Sequence, residues 1–378
     1  MARTKARSKR QYGDGGITQN KKTGEWFTWV PLGHGKRRAV RATDEADARQ
    51  KHVELLKQRD AGIDFDGARL TLEAFLAQWF NREYKRRVKP STAANAKQRL
   101  ELYVLPDLGD FRLEELKRAD IIDWMNALVD EGYAATTIRG TYYILADALD
   151  AAMKDDYVLR NVVQLVDPPA LITKPPRPLS TEETRRLLAT VQGDRLEGLY
   201  HLAVLLGPRR GECLGLRWPN VDLNNLQFTI TQQTQEFGGA ISESTPKSKD
   251  SVRTLPLTEY LADVLHSHEG RQEIRRARCE DWMEHGLVFP SDVGTRMWPR
   301  NLVRDFKGLL EDAGLPQEIR FHDLRHTAAT RLREVGADEL LIGAFLGHSR
   351  TSVTQAYIQL HIREMRAKVE QVERLILQ

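Results

Sequence analysis

Five prolines fall between positions 168 and 178, at Pro168, Pro169, Pro175, Pro176 and Pro178. Neither a helix nor a central strand survives such a run. Each proline lacks an N–H and restricts the residue before it. Val166–Pro178 is therefore predicted to be extended and semi-rigid. Directly behind it, Ser180-Thr181-Glu182-Glu183 has the form of a capping box, so a new folding unit starts there. A chain of 378 residues, broken in this way, suits two or three domains, each large enough for a core.

Behind the break the pattern is mixed. Leu199–Leu206 reads as a buried helix, and Leu214–Trp218 leads on to Val221. Strands are predicted near Gln227–Thr231 and Ser251–Pro256, with a long hairpin region between them. Arg271–Glu284, Asn301–Ala313 and His322–Val335 read as helices. After Tyr357, the residues Leu360, Ile362, Met365, Val369, Val372, Leu375 and Ile376 recur largely at helical spacing and predict an amphipathic helix. Its apolar face needs cover, and periodicity does not say whether its own domain provides it.

In front of the break two patterns follow one another. Ile17–Gln19, Trp26–Val30 and Arg38–Ala42 read as strands, with turns at Lys21-Lys22-Thr23-Gly24 and Gly33-His34-Gly35-Lys36. Trp26 and Trp29 differ by three, so they fall on opposite faces, and one of them is expected in the core. Thr43 and Asp44 offer an N-cap for a helix to about Arg59. Gly62–Gly67 reads as a linker. Thr71 then caps a helix with Leu72, Phe75, Leu76 and Trp79 on one face. Arg82, Lys85, Arg86, Arg87 and Lys89 follow, and Pro90-Ser91 restarts the chain as a helix through about Val104. Leu116–Val129, with Asp120 as a cap, and Thr136–Lys154 supply two more. The domains implied are 1–62, 63–166, a linker at 167–179, and 180–378.

Charge separates these parts. The whole chain carries +4, yet residues 1–62 hold 15 Lys/Arg against 7 Asp/Glu. A basic end on a near-neutral body points to a polyanion partner. Arg3, Lys5, Arg7, Lys9 and Arg10, then Lys36, Arg37 and Arg38, are the candidate contacts there. Arg82, Lys85, Arg86, Arg87 and Lys89 could clamp a backbone from a helix end. A basic run is also what a solvated face or tail looks like. With 41% hydrophobic and 29% charged residues the chain is globular rather than disordered. Its longest apolar run, Leu202–Leu206, cannot span a bilayer, and no apolar segment follows the basic N-terminus as a secretory signal requires. Cys213 and Cys279 do not make a disulfide framework, and a reducing cytoplasm is the simpler expectation.

The chemistry concentrates in Arg320–Tyr357. Arg320-Phe321-His322-Asp323-Leu324-Arg325-His326-Thr327 is followed by Leu346-Gly347-His348-Ser349 and then by Tyr357. Imidazoles, a guanidinium and a phenol in one span suit a phosphodiester. Guanidinium grips phosphate oxygens, imidazole moves protons near neutral pH, and tyrosine can act as a covalent nucleophile. No carboxylate cluster accompanies them as a Mg²⁺ site would require. His322 and His326 stand four apart, a spacing that also suits zinc, but Asp323 occupies the place where a zinc protease has glutamate, and no third ligand is evident.

His-x-x-Arg, then Leu-Gly-His, then a tyrosine nine residues on resembles the signature of the tyrosine recombinases, the phage integrase family. That family also has an earlier arginine and a lysine. Arg209 in Pro208-Arg209-Arg210-Gly211-Glu212 and Lys247 in Thr245-Pro246-Lys247-Ser248-Lys249 match, with Arg210 and Lys249 as close competitors. The motifs occur in family order through the C-terminal half. By resemblance, the fold is multi-domain and mainly α. It has a three-stranded sheet plus helix in front that binds arm-type DNA sites. An all-α core-binding bundle and a mixed α+β catalytic domain follow.

The resemblance further implies transesterification. Tyr357 attacks a DNA phosphodiester and forms a 3′-phosphotyrosyl link. Arg209, Arg325 and His348 hold the phosphate oxygens, Lys247 protonates the leaving 5′-oxygen, and His322 accepts the phenol proton. Glu212 supports the local geometry and His326 packs or supports. No metal or ATP is expected as cofactor. The implied partners are double-stranded DNA at core and arm sites, three further copies in a tetramer, and a DNA-bending protein or excisionase. The expected setting is the cytoplasm of a bacterial host, at the nucleoid. A type IB topoisomerase shares this chemistry, and a DNA-binding protein without chemistry could keep the scaffold.

Overall fold

Alternating side chains at the front fold as three antiparallel strands, β1 (Gly16–Gln19), β2 (Trp26–Gly33) and β3 (Lys36–Ala42), in the order β1-β2-β3. The computed structural model describes residues 13–33, 36–171, 177–237, 239–244, 252–347 and 355–377, with backbone alone at 33, 237, 244 and 355–361. The described chain divides into two compact units, Met1–Thr173 and Lys174–Gln378.

In the first unit, α1 (Glu45–Asp60) lies against the sheet. Asp44 caps it, accepting from the Asp47 N–H at 2.8 Å, while Asp47 accepts from the Thr43 N–H at 2.9 Å. The expected core tryptophan is absent: Trp26 and Trp29 are both half-buried. Thr28 and Val30 fill the inward row instead, each 0% exposed. Trp26 belongs to that row but stands at the start of the strand, at the sheet's edge, and the row is closed by small residues. Thr28 Oγ1 lies 2.8 Å from His52 Nδ1 on α1.

Residues 62–67 are not a free tether. They run into a short helix, α2 (Phe65–Ala68), whose Phe65 is buried. A Cβ on Gly67 would stand 2.2 Å from the Tyr157 ring, so only glycine fits that approach. The helices that follow are α3 (Leu72–Trp79), a π-helical turn at Phe80–Tyr84, α4 (Lys85–Arg87), α5 (Pro90–Tyr103), α6 (Leu105–Leu108), α7 (Arg118–Asp130) and α8 (Ala135–Lys154). Thr71 caps α3 through the Ala74 N–H at 3.2 Å, and Leu72, Phe75, Leu76 and Trp79 are all buried. They pack with Ile121, Trp124 and Leu128 of α7 and Ile138, Leu145 and Leu149 of α8 as one core.

The second unit opens on α9 (Thr181–Thr190). Its capping box is complete: Ser180 Oγ accepts from Glu183 N–H at 3.1 Å and Glu183 accepts from Ser180 N–H at 2.8 Å. Then come α10 (Glu197–Leu205), buried along its length, and α11 (Arg210–Gly215). A sheet of β4 (Val221–Asp222), β5 (Gln227–Ile230) and β8 (Arg253–Pro256) is interrupted in sequence by a separate hairpin, β6 (Gln233–Phe237) and β7 (Ala240–Ser244). The expected helix at Arg271–Glu284 is instead α12 (Glu259–Arg278), which Thr258 caps through the Leu261 N–H at 3.1 Å. Its first half buries Leu261 and Leu265, so charge alone marked only the exposed half. The chain leaves the helix at Cys279, in extended conformation.

Helices α13 (Pro299–Asp312), α14 (Phe321–Glu334), α15 (Glu339–Leu346) and α16 (Gln355–Leu377) complete the unit. Met365, Val369, Val372 and Ile376 of α16 join the core of their own unit, lying against β8 and α9. Lys368 Nζ donates to the Val335 carbonyl at 2.7 Å and Arg185 Nε to the Ile376 carbonyl at 2.9 Å, so the helix is fixed by polar contacts as well. Among the described residues no helix is long and apolar enough to cross a membrane.

Candidate active site

The site begins where α10 ends. Gly207 has φ +65°, and an added Cβ would stand 3.1 Å from both Ala328 Cβ and Leu346 Cδ2. Glycine is required there for the backbone and for the space. The turn exposes the Gly207 carbonyl, and Arg325 Nη1 of α14 donates to it at 2.7 Å. Arg325 Nη2 donates to the Leu346 carbonyl at the end of α15. A guanidinium only 5% exposed thus satisfies the Gly207 carbonyl just past α10 and an orphan carbonyl at the end of α15. Burial, then the neighbouring Arg209 and Arg253 charges, pull its pKa down. A guanidinium starts so high that it stays charged at neutral pH.

Arg209 follows Gly207 and Pro208 as the residue before α11. Its Nη1 donates to Glu212 Oε1 at 2.7 Å and its backbone N–H to Glu212 Oε2 at 2.7 Å. Its Nη2 is 3.5 Å from the Gly347 carbonyl. Pro208 is accommodated because it stands ahead of Arg209, the N-cap of α11, where no intrahelical N–H is required of it. Arg210 is exposed, so of the two arginines it is Arg209 that turns toward the Arg325 region. Glu212 is 2% exposed. Burial alone would push its carboxyl up, but Arg253 and Arg209 more than offset this and hold it below the usual range.

His322 is exposed on the first turn of α14, with the half-buried His326 ring edge-on at 5.2 Å. Partial burial, then the His326 and Arg325 charges, lowers the His322 pKa, so it is neutral at pH 7 and able to accept a proton. Asp323 anchors this turn, accepting from the Arg320 N–H at 2.8 Å. A groove of about 630 Å³ is lined by Arg209, Arg210, Gln233, Lys307, Arg320 and His322, among others. Among the described residues no group of three or more His, Cys, Asp or Glu could hold a metal. Cys213 is buried beside Glu212, and burial pushes its thiol up, so it is inert.

Three of the six expected catalytic residues, Arg209, His322 and Arg325, therefore come together. Lys247 and His348 lie outside the described residues, as does Lys249. Tyr357 falls in the first turn of α16, described by its backbone alone. The strand leading to Lys247 is fixed at Glu243, which accepts from Arg217 Nη2 at 2.6 Å and Arg296 Nε at 2.9 Å.

The sequence reading passed over Arg253. This guanidinium donates through Nη2 to Glu212 Oε2 at 2.9 Å and through Nε to the Phe345 carbonyl at 2.7 Å. A signal existed. Arg253, Leu255 and Leu257 alternate, and a cation in an inward row demands a buried carboxylate.

The basic candidates elsewhere divide. Lys36 and Arg37 are exposed, whereas Arg38 Nη2 grips both oxygens of Glu114, at 2.6 and 2.8 Å. Arg82, Lys85, Arg86, Arg87 and Lys89 are exposed around the π turn and α4. Arg87 is engaged with Asp147 and lies over the Tyr84 ring at 5.2 Å. Arg3, Lys5, Arg7, Lys9 and Arg10 lie outside the described residues.

Comparison with known proteins gives the same picture. The profile of the Phage integrase family matches residues 177–364, and that of the phage integrase N-terminal SAM-like domain matches residues 71–129. A tyrosine recombinase XerC-like protein of Caldanaerobacter subterraneus subsp. tengcongensis is 28% identical over 336 residues, covering 84% of this chain and 85% of that one. The Tn1549 transposon integrase, solved in complex with transposon right end DNA, shares the fold at a TM-score of 0.64 and 21% identity, over 78% of this chain and 99% of that one. Lambda integrase, solved as a tetramer bound to a Holliday junction, shares it at 0.56 and 18% identity, over 92% and 96%.

Proposed function

This chain belongs to the phage integrase family and is a site-specific tyrosine recombinase, and from that premise we propose which residues cut and rejoin the DNA. Tyr357 is the nucleophile. Its phenolic oxygen attacks a backbone phosphorus and displaces the 5′-oxygen, leaving a 3′-phosphotyrosyl bond. The 5′-hydroxyl of a partner strand then reverses the step on a new strand. One phosphoester replaces another at each stage, so ATP has no part.

The observation that carries this reading is the frame of half-buried Arg209 with buried Glu212 and Arg325 beside an exposed, neutral His322. Negative charge grows on the non-bridging oxygens as the phosphate becomes five-coordinate. Guanidiniums fixed in advance stabilise it without reorganising. Arg209 and Arg325 hold those oxygens, and His348 donates to them. With the charge met by guanidiniums, no metal is required as cofactor. His322 takes the proton of a phenol whose ordinary pKa is ~10.

Lys247 supplies the proton to the leaving 5′-oxygen. Lys247→Ala is expected to slow cleavage of an ordinary substrate and to regain most of the rate on a 5′-phosphorothiolate, whose sulfur leaves without a proton. Lys249→Ala should need no rescue. Equal defects on both substrates, measured as single-turnover covalent adduct, would remove Lys247 from the role.

Exchange needs two duplexes, and the lambda likeness was solved as a tetramer on a Holliday junction. We carry that arrangement to this chain: a tetramer on paired core sites, assisted by a DNA-bending protein or excisionase, in the bacterial cytoplasm at the nucleoid. The basic front sheet binds separate outer sites. Lys36 and Arg37 face solvent there, while Arg38 is engaged with Glu114. Arg37→Glu should weaken the outer footprint and lower its salt slope by about one unit, the value for one lost phosphate contact. Core-site footprints should be unaffected; an unchanged outer footprint would count against this surface.

A further inference from the structure

Arg253 has no role in the reaction as derived above, yet it joins two of its parts. It leaves β8 pointing inward and is 9% exposed. Its Nη1 and Nη2 meet the two oxygens of Glu212 at 3.2 and 2.9 Å. Those same oxygens accept from Arg209 Nη1 and the Arg209 N–H. Its Nε donates at 2.7 Å to the Phe345 carbonyl, one of the orphan acceptors at the end of α15. A Cβ on Gly347 would stand 3.0 Å from Arg253 Nη1, so the guanidinium packs on the left-handed turn that leads into His348.

We propose that Arg253 is a positioning residue for strand cleavage: it orients Glu212 beneath Arg209 and fixes the turn from which His348 departs. This rests on the reading that Arg209 and His348 hold the reacting phosphate. Arg253 meets two carboxylate oxygens and a carbonyl from three separate nitrogens of one planar fork, whereas an ammonium offers its donors from a single point. Nor would the frame survive as it stands without the cation, because Glu212 would remain buried without the partner that does most to keep it ionised. Among the described residues, the charged and titratable groups facing Glu212 are Arg209, Arg253 from β8, Arg325 from α14 and the Cys213 thiol on its own helix. Burial favours the neutral acid, and the Arg253 contacts do most to oppose it. Without them Glu212 takes up a proton as pH falls and releases Arg209.

The test uses the full chain and a nicked duplex carrying its own crossover sequence, with covalent adduct measured in single turnover between about pH 5 and 8, the range over which a raised carboxyl titrates. Arg253→Gln should cleave on the order of 10–100-fold more slowly at the alkaline end, the cost of a misplaced catalytic group. It should lose further rate as pH falls, while duplex binding is kept. Adding Glu212→Gln should erase that acid limb. Arg253→Lys should keep the parent's pH profile, because a cation remains, but not its rate. A parent-like rate and profile in Arg253→Gln overturns the proposal. If that variant does not fold, a parent-like rate in Arg253→Lys overturns it. Arg209→Ala separates the two claims: full activity there would sink the reading beneath the proposal rather than the proposal.

Discussion

Tyr357→Phe is expected to form no covalent adduct with a nicked substrate, while binding the same duplex as the parent does. The substitution removes one oxygen and keeps the ring, so packing changes little. The chemistry changes completely, because a covalent intermediate needs an atom to carry it. The position suits the task. Tyr357 stands in the first turn of α16, and the helix beyond it is held in its own unit by Met365, Val369, Val372 and Ile376. The proposed nucleophile thus stands on the helix whose later turns join the core of its unit. The measurement is denaturing electrophoresis of a labelled suicide duplex beside a gel-shift titration. An adduct in Tyr357→Phe would move the nucleophile elsewhere. Tyr260 is the first phenol to test, although it is half-buried beside His201 Nδ1 at 3.1 Å, and burial pushes its pKa up to about 12.

What could be read from the sequence was local. Thr71 with its four apolar partners, and Ser180 with Glu183, announce helix starts through contacts three or four residues long. Both are made as written. The recombinase motifs were legible because each is short and their order is fixed. What escaped depends on partners far along the chain. Arg253 reads as one more cation until Glu212, 41 positions earlier, is placed beside it. The Trp26 and Trp29 expectation failed because alternation assigns faces but not depth. The first half of α12 was passed over since its apolar residues meet a core built from α10, and only the charged half stands out by itself. Arg38 shows the converse. Its neighbours Lys36 and Arg37 look identical to it in sequence, and only the structure separates a cation gripping Glu114 from two that face solvent.

Arg325→Ala should lower single-turnover cleavage by ~10²–10³-fold, the scale for losing one preorganised transition-state donor. Its effect on folding has two opposed parts. The Gly207 and Leu346 carbonyls lose their donor, at about 1–3 kcal/mol for each that stays dry. Against this, a buried cation leaves a frame where Arg209, Arg253 and Arg325 surround the single carboxylate of Glu212, and their mutual repulsion eases. The two parts oppose each other, so the melting temperature should move far less than the rate. Arg325→Lys restores a charge but cannot reach both carbonyls from one flat group, so its rate should fall between parent and alanine. The decisive comparison is adduct formation at saturating protein on a pre-bound substrate, which removes affinity from the measurement. If Arg325→Ala cleaved within about tenfold of the parent under those conditions, Arg325 would be a strut that closes two helix ends, and the charge on the phosphate would have to be met by Arg209 and its neighbours alone.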